Sequence, residues 1–229
     1  MQAKKSHKPS YEKLWQYIGA TDAPKLILSF AEIENILGFP IDHAFLNYKK
    51  KLHEYGWLCT KISMKEENIS FLRLPEHSRI LEKSSFSVIG KEGSTDDGPL
   101  FVQRLWDDAN SQVDQIAALA KKECNGDLCG IWGLMSDRER QFKPWAHNFT
   151  EGLYLAGIEC HDDAQPPQGW VRWTVPAFQY LVIMNESEDT FSSTVSFLKA
   201  NKLSLAGAVH DFTDPTTGKA YLYIPLQKR

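Results

Sequence analysis

The stretch from Phe142 to Leu226 determines the fold of the larger part of this chain. It contains the segments FKPWAHNFTEGLYLAGIE (142–159), PPQGWVRWTVPAFQYLVIM (166–184), LAGAVHDFTDPTTG (205–218) and KAYLYIPL (219–226). Short aromatic and aliphatic runs separated by Gly, Pro and Asp are typical of β-strands joined by turns. The pattern predicts strands over residues 152–160, 170–184, 205–212 and 220–225.

Two amphipathic helices and two further strands complete this pattern. The first helix is predicted over Leu100–Lys122, with a buried stripe formed by Phe101, Leu105, Ala109, Val113, Ile116 and Ala120. The second is predicted over Thr190–Asn201, and additional strands over residues 85–93 and 127–135. The order strand, helix, strand, strand therefore occurs twice between Ser85 and Arg229, which indicates an α+β fold.

The first part of the chain, residues 1–73, has a different pattern. Helices are predicted over residues 11–20, 29–38 and 42–55, and the second begins with a capping box formed by Ser29 and Glu32. Two short strands, GWLCTKI and NISFLRL, follow as a hairpin. Three helices and a hairpin predict a small winged-helix-like domain. Residues 74–84 are rich in charge and contain a Pro, which indicates a linker. A second domain is predicted over residues 85–229.

Composition and charge narrow the class of protein. Lys and Arg number 26 and Asp and Glu 29, a net charge of −3. Residues 1–84 carry 13 basic and 10 acidic residues, whereas residues 85–229 carry 13 and 19, so only the first domain suits DNA. No signal peptide or membrane-spanning segment is evident, which favours a cytoplasmic protein without membrane contact. Four cysteines outside any CxxC pair predict neither disulfides nor a metal site.

The C-terminal segments, together with SSFSVIGKEGST (84–95), LWDDAN (105–110) and CGIWGLMSDRER (129–140), resemble the GyrI-like small-molecule-binding family. That family shares its fold with the effector-binding domains of AraC-type and multidrug-sensing regulators. The resemblance implies one curved antiparallel sheet, with both helices on one face and a ligand cleft on the other. Residues 1–73 resemble an uncharacterised bacterial domain, with the pattern SFAEIE, ILG, GW and F-R, which implies no activity.

Aromatic residues concentrated in the second domain indicate the walls of such a cleft, where rings would stack on flat ligands or attract cations. Each ring could equally be part of the core. The candidate ligand-binding residues are Trp132, Trp145, Tyr154, Glu159, Trp173, Phe178, His210 and Tyr221. The predicted partner is a small hydrophobic or cationic aromatic compound.

Glu159 is the most specific candidate. Strand alternation places it on the same face as Leu153 and Leu155, so a carboxylate would lie in an apolar wall. There it would hold a cationic ligand or act as a general base on a bound water. The alternative is a strand-end carboxylate that reaches solvent beside His161.

The stretch GAVHDFTDPTTG contains three further polar candidates. His210 and Asp211 alternate along a strand, so only one of them can face the cleft, and Asp214 has the setting of a turn-capping residue. The charged segment MSDRERQFKPW (135–145) predicts a loop at the cleft edge, or a lid. Lys49, Lys50 and Lys51, on the third predicted helix, could contact DNA phosphates or form a solvated face.

No Rossmann fingerprint, P-loop, HExxH or GxSxG motif is present, so no cofactor is expected. Three functions remain open, in this order. The first is ligand sensing or sequestration, with multidrug binding and transcription regulation among its uses. The second is hydrolysis of reactive cyclopropane-bearing natural products, as the resemblance implies. The third is a protein-interaction role, such as gyrase inhibition.

Overall fold

The computed structural model of the protein describes residues 10–229. The basic residues 1–9, at the start of the segment in which no signal peptide is evident, lie outside the described residues. The chain forms two compact units, and the boundary between them follows Arg79. Among residues 10–229, no helix combines the length and the apolar character needed to cross a bilayer.

The first unit contains three helices and a three-stranded antiparallel sheet. Its elements are α1 (Glu12–Gly19), β1 (Lys25–Ser29), α2 (Phe30–Leu37), α3 (Phe45–Tyr48), a 3₁₀ segment (Lys49–Tyr55), β2 (Trp57–Ser63) and β3 (Asn68–Arg73). The sheet order is β1-β3-β2. Ser29 and Glu32 form the predicted capping box, and α2 ends at Gly38 in the left-handed conformation.

Two details of the first unit differ from the sequence prediction. The pentapeptide KLILS, between Pro24 and the capping box, forms β1 and pairs with β3, because its backbone completes the hairpin into a sheet. The third predicted helix, residues 42–55, is α-helical only over α3 and continues as a 3₁₀ segment that Gly56 ends.

The second unit is built on an eight-stranded antiparallel sheet. Its strands are β4 (Ser78–Lys83), β5 (Phe86–Ser94), β6 (Ile131–Ser136), β7 (Leu153–Cys160), β8 (Val171–Val175), β9 (Phe178–Met184), β10 (His210–Thr213) and β11 (Ala220–Lys228). Its helices are α4 (Phe101–Ser111), α5 (Ala146–Phe149) and α6 (Thr190–Ala200). The sheet order is β4-β9-β11-β10-β6-β7-β5-β8.

The predicted duplication is visible in this order. One copy is β5-α4-β6-β7 and the other is β9-α6-β10-β11. Outward from the central pair of β6 and β10, each copy contributes its second, third and first strand in that order. In the central pair, Trp132 lies opposite Phe212. The α+β class, the antiparallel sheet and the duplicated unit are therefore confirmed.

Several boundaries in the second unit differ from the prediction, and the strand expected over residues 205–212 begins only at His210. The segment assigned to a linker contains β4, which forms an edge of the sheet next to β9. The single strand predicted over residues 170–184 is two strands, because Pro176 has no N–H with which to continue the ladder. The long helix predicted from Leu100 ends at Ser111, and two short 3₁₀ turns continue as far as Leu119.

The sheet has two faces with different coverings. Helix α4 packs on β5 and β7, and this helix-covered face contains Tyr154, Ala156, Ile158 and Cys160. The opposite face, here called the aromatic face, contains Trp132, Leu134, Leu155, Tyr180 and Tyr223.

Strands β5 and β7 approach closely where Gly90 lies opposite Gly157. A Cβ on Gly90 would lie 2.3 Å from the carbonyl oxygen of Ala156. A Cβ on Gly157 would lie 2.1 Å from that of Ile89. Only glycine allows this approach.

Candidate functional site

The centre of the aromatic face is a set of rings around Trp132. Its ring centroid lies 4.6 Å from Phe212, 4.7 Å from Phe86 and 4.9 Å from Tyr223. Tyr223 in turn lies 5.4 Å from Tyr180. The tilted and edge-to-face arrangements are those that aromatic quadrupoles prefer. The strands of both repeats thus contribute to one continuous aromatic surface.

Glu159 lies on this face with only 3% of its side chain exposed. Its Oε2 accepts hydrogen bonds from Lys83 Nζ at 3.0 Å and from the Trp132 indole at 3.3 Å. Lys121 Nζ lies 3.6 Å from Oε1. Lys83 also lies over the Phe86 ring, 4.3 Å from its centroid. The carboxylate is therefore buried as predicted, but two ammonium groups already neutralise it.

His210 is fully buried among the rings of the same face. Its ring centroid lies 6.0 Å from Phe142 and 6.2 Å from Tyr180. Burial lowers the pKa of His210 to about 3, although the backbone of Val209 acts in the opposite direction, so the ring is neutral at pH 7. The backbone N–H of Met135 donates to Nδ1 at 3.4 Å. This bond makes Nδ1 an acceptor, which favours the neutral tautomer with its proton on Nε2.

Two polar atoms of this face have no hydrogen-bond partner among residues 10–229. They are Nε2 of His210 and the hydroxyl of Tyr180. Both side chains are fully buried. Burial also raises the pKa of Tyr180, so its hydroxyl keeps its proton. Unpaired buried polar groups are costly, which makes this pair the least satisfied part of the aromatic face.

The loop between β6 and β7 covers part of the aromatic face. The Phe142 side chain of this loop is buried on the aromatic face, with its ring centroid 5.8 Å from that of Trp173 in an edge-on arrangement. Arg140 forms a bidentate ion pair with Glu92, which also accepts from the Trp173 indole at 2.7 Å. This segment, residues 137–149, is called the covering loop below.

The covering loop has an unusual backbone. Arg140, Phe142, His147, Asn148 and Phe149 all have positive φ values, between 49° and 66°. Non-glycine residues in this region carry strain that surrounding contacts must offset. Phe142 is held by its backbone as well, since its N–H donates to Ser136 Oγ and its carbonyl accepts from the N–H of Ala208. Strain and anchoring together make the loop a candidate lid.

The structure brings together most, but not all, of the predicted ligand-binding residues. Those on the aromatic face are Trp132, Glu159, Trp173, Phe178, His210 and Tyr221. Tyr154 and Trp145 instead belong to the helix-covered face. Tyr154 is adjacent in sequence to Leu153 and Leu155, so strand alternation alone places it on the other side. The Trp145 indole donates to the Leu153 carbonyl at 2.9 Å.

The helix-covered face has its own polar group. Tyr154 donates to Asp211 Oδ2 at 2.8 Å and accepts from the Trp106 indole at 3.3 Å. Burial raises the pKa of Asp211, and the bond from Tyr154 opposes this. A cavity of about 400 Å³ adjoins this group, lined by Met135, Asn185, Glu186, Ser187, Glu188, Phe191, Asp211 and Leu222.

Two other candidates have local roles. Asp214 Oδ1 accepts from the backbone N–H of Thr216 at 2.9 Å, which is the predicted turn cap. In the first unit, Lys51 pairs with Glu12 at 3.1 Å, so Lys51 is engaged within the protein. Contact with DNA through Lys49, Lys50 and Lys51 stays a prediction.

Several important residues of the aromatic face were not identified from the sequence. They are Lys83, Phe142 and Phe212. Alternation along HDF (210–212) could have placed Phe212 with His210. Lys83 gave no such signal, because its pairing with Glu159 spans 76 positions in the chain.

The strand order and the duplicated β-α-β-β unit agree with the architecture that the resemblance to GyrI-like domains implied. The chain is similar to the solved structure of SAV2435 bound to tetraphenylphosphonium, with 14% identity over 66% of this chain and 93% of that one, at a TM-score of 0.47. It is similar to the EcmrR C-terminal domain, with 9% identity over 66% and 98%, at 0.46.

A third similar structure is EcmrR in a complex with DNA, with 11% identity over 81% of this chain and 63% of that chain, at a TM-score of 0.45. Similarity at this level does not assign a ligand or a partner to this chain. No family model and no curated protein matches the sequence.

Proposed function

We propose that the second unit binds a small, largely apolar organic molecule on the aromatic face, beneath the covering loop, as a sensor or a sequestering protein. The observation that carries this proposal is the placement of Phe142. A strained loop inserts this single ring against Trp173 and His210, where it takes the position that an aromatic ligand would fill. A ligand ring would replace the contacts that Phe142 makes and release the loop.

The proposal does not extend to hydrolysis. A general base needs a free lone pair directed at water or substrate. Lys83 and Trp132 occupy Oε2 of Glu159, and Lys121 lies near Oε1. Through these contacts Glu159 forms buried ion pairs with the two lysines and fixes the Trp132 indole.

The experiment compares two loop phenylalanines. Phe142→Ala opens the aromatic face, whereas Phe149→Ala is the matched control, because Phe149 packs on Phe191 of α6 with ring centroids 5.2 Å apart. Calorimetry and tryptophan fluorescence would follow titration with triphenylphosphine oxide, an uncharged probe, and tetraphenylphosphonium, a cationic one. We expect Phe142→Ala to bind at least one probe about tenfold more tightly than the natural protein, because no ring has to be displaced.

The control should bind both probes as the natural protein does. Absence of saturable binding to either probe, in both the natural protein and a folded Phe142→Ala variant, would contradict small-molecule binding at this face. An equal gain from Phe149→Ala would assign the effect to general loosening of the loop.

A second candidate role concerns DNA contact by the first unit. The order helix, strand, helix, helix, strand, strand, with sheet order β1-β3-β2, is that of a winged-helix module. Lys49 and Lys50 lie on the segment that follows α3, where such modules contact phosphates.

Fluorescence anisotropy with duplex DNA should then show an affinity that falls steeply as the salt concentration rises. The salt dependence should be shallower in the double variant Lys49→Gln/Lys50→Gln. Lys199→Gln, in α6, is the control. Affinity unaffected by the double substitution would exclude this role.

A further inference from the structure

Besides its rings, the aromatic face contains hydrogen-bonding groups that would favour a particular kind of ligand. The face presents two hydrogen-bond donors, His210 Nε2–H and the Tyr180 hydroxyl, which lack a partner among the described residues. Both lie on buried side chains whose ring centroids are 6.2 Å apart. They project from β10 and β9 to the same side of the sheet, on either side of Tyr223.

The charges around this face do not favour a cation. Glu159 is its buried carboxylate, and Lys83 and Lys121 both lie within 4 Å of it, so this end of the face carries one negative and two positive groups. The other nearby carboxylate, Glu92, is held by Arg140 and the Trp173 indole. A cationic ligand would have to displace a lysine or an arginine before it found an unpaired negative charge.

From these observations we infer that the ligand is an uncharged aromatic molecule with a strong hydrogen-bond acceptor, such as a carbonyl, ether or phosphoryl oxygen. The acceptor is bound by His210 Nε2–H and the Tyr180 hydroxyl, while the rings of the ligand replace Phe142. This inference rests on the proposed function, because it names the ligand class of the same face. It departs from the cationic aromatic ligand that the sequence suggested.

The physical reason is the cost of unpaired donors. Each of these buried donors lacks an acceptor among the described residues, and a ligand with an acceptor would supply one. A buried neutral hydrogen bond contributes about 0.5–1.5 kcal/mol, so one donor changes affinity by roughly two- to twelvefold. Ligands without an acceptor would leave both donors unpaired and bind more weakly.

The test uses triphenylphosphine oxide and tetraphenylphosphonium, which are similar in size and ring content but differ in charge and in the phosphoryl oxygen. In calorimetry the natural protein should bind the oxide about tenfold more tightly. Tyr180→Phe should weaken the oxide about fivefold and change the cation less than twofold. Tyr154→Phe, the same change on the helix-covered face, should alter neither affinity.

A second readout does not require any probe. Because the Tyr180 hydroxyl lacks a protein partner, Tyr180→Phe should unfold at the same or a higher denaturant concentration than the natural protein. Tyr154→Phe removes two hydrogen bonds and should unfold at a lower concentration. Equal destabilisation by both substitutions would show that the Tyr180 hydroxyl is satisfied within the folded protein, for example by a buried water, and would overturn the inference.

The outcomes separate the inference from the proposed function. Equal or tighter binding of the cation, with the oxide unaffected by Tyr180→Phe, would overturn the uncharged acceptor and leave small-molecule binding in place. Absence of binding to both probes, including in Phe142→Ala, would overturn both.

Discussion

Glu159 on the aromatic face and Asp211 on the helix-covered face are two carboxylates of the eight-stranded sheet that the protein stabilises differently. On the aromatic face, Glu159 is compensated by the ammonium groups of Lys83 and Lys121. On the helix-covered face, Asp211 is bonded by the neutral hydroxyl of Tyr154, and burial raises its pKa. The comparison shows that the aromatic face pairs its carboxylate with two cations, whereas burial on the helix-covered face disfavours the charged form of Asp211.

The same difference extends to the remaining polar groups. The helix-covered face connects Trp106, Tyr154 and Asp211 in a chain of hydrogen bonds. The aromatic face leaves His210 Nε2 and the Tyr180 hydroxyl without partners among residues 10–229. A satisfied network stabilises a core, while unsatisfied groups in a buried aromatic surface are a cost that a ligand can remove. This contrast favours the aromatic face as the binding face.

The largest predicted effect concerns His210 and pH. Its folded pKa of about 3 lies below the ordinary value of 6.5, so the unfolded chain takes up a proton first as the pH falls. The stability that His210 contributes is complete above pH 6.5 and is lost as the pH falls toward 3. The free energy of unfolding should decrease by up to about 1.4 kcal/mol per pH unit in this window, roughly 4 kcal/mol in total.

Chemical denaturation at stepped pH measures this dependence. His210→Gln cannot titrate and should show a shallower slope between pH 6 and 3. His161→Gln, at an exposed histidine, is the matched control and should keep the natural slope. Identical slopes in all three proteins would show that folding does not lower the pKa of His210, and the two faces would then differ less than the structure indicates.

The second effect in size concerns the ion pairs of Glu159. Lys83 is 25% exposed and Lys121 is 50% exposed, so Lys83 provides most of the compensation. Lys83→Met should lower the free energy of unfolding by about 3 kcal/mol, because it leaves a buried carboxylate with only the half-exposed Lys121 as its cation. Lys121→Met should cost less than about 1 kcal/mol.

A double-mutant cycle makes the test specific. Glu159→Gln removes the charge, so the combination with Lys83→Met should recover much of the loss, and the coupling should exceed about 1 kcal/mol. Urea denaturation at pH 7 provides the values. Additive effects of the two substitutions would mean that Lys83 acts through packing on Phe86 and not through the carboxylate.

These residues also show what the sequence could and could not predict. Alternation along β7 correctly placed Glu159 with Leu155, and the capping pattern located the start of α2 at Ser29, because both signals are local. The duplicated unit followed from element order. The prediction that one of His210 and Asp211 faces away is consistent with the bond from Tyr154 to Asp211.

The features that the sequence did not predict depend on pairing between segments that are far apart in the chain. The strand β1 forms because β3 is available as a partner, and its five residues alone carried no clear signal. The face on which each aromatic candidate lies did not follow from its residue type, so Tyr154 and Trp145 lie on the helix-covered face, and their part in ligand binding stays a prediction. The ammonium of Lys83 reaches Glu159 only after the sheet has formed, so a segment interpreted as a linker supplies part of the site.

The smallest effect tests the opposite sign on the helix-covered face. The pKa of Asp211 is raised above its ordinary value of 3.8, so the folded state favours the protonated form. The stability that this proton provides is present below pH 3.8 and is lost as the pH rises through the folded pKa. Asp211→Asn keeps an acceptor for Tyr154 without a charge, and it should raise the free energy of unfolding at pH 7 by about 1 kcal/mol. Below pH 3.8 the gain should disappear, because the natural carboxyl is then neutral as well.

Denaturation at pH 7 and pH 3.5 measures both values, with Glu159→Gln as the counterpart on the aromatic face. Since Glu159→Gln leaves Lys83 without its partner, it should lower stability at pH 7. If both substitutions changed stability in the same direction at pH 7, the two carboxylates would share one mode of stabilisation, and the electrostatic distinction between the faces would be wrong.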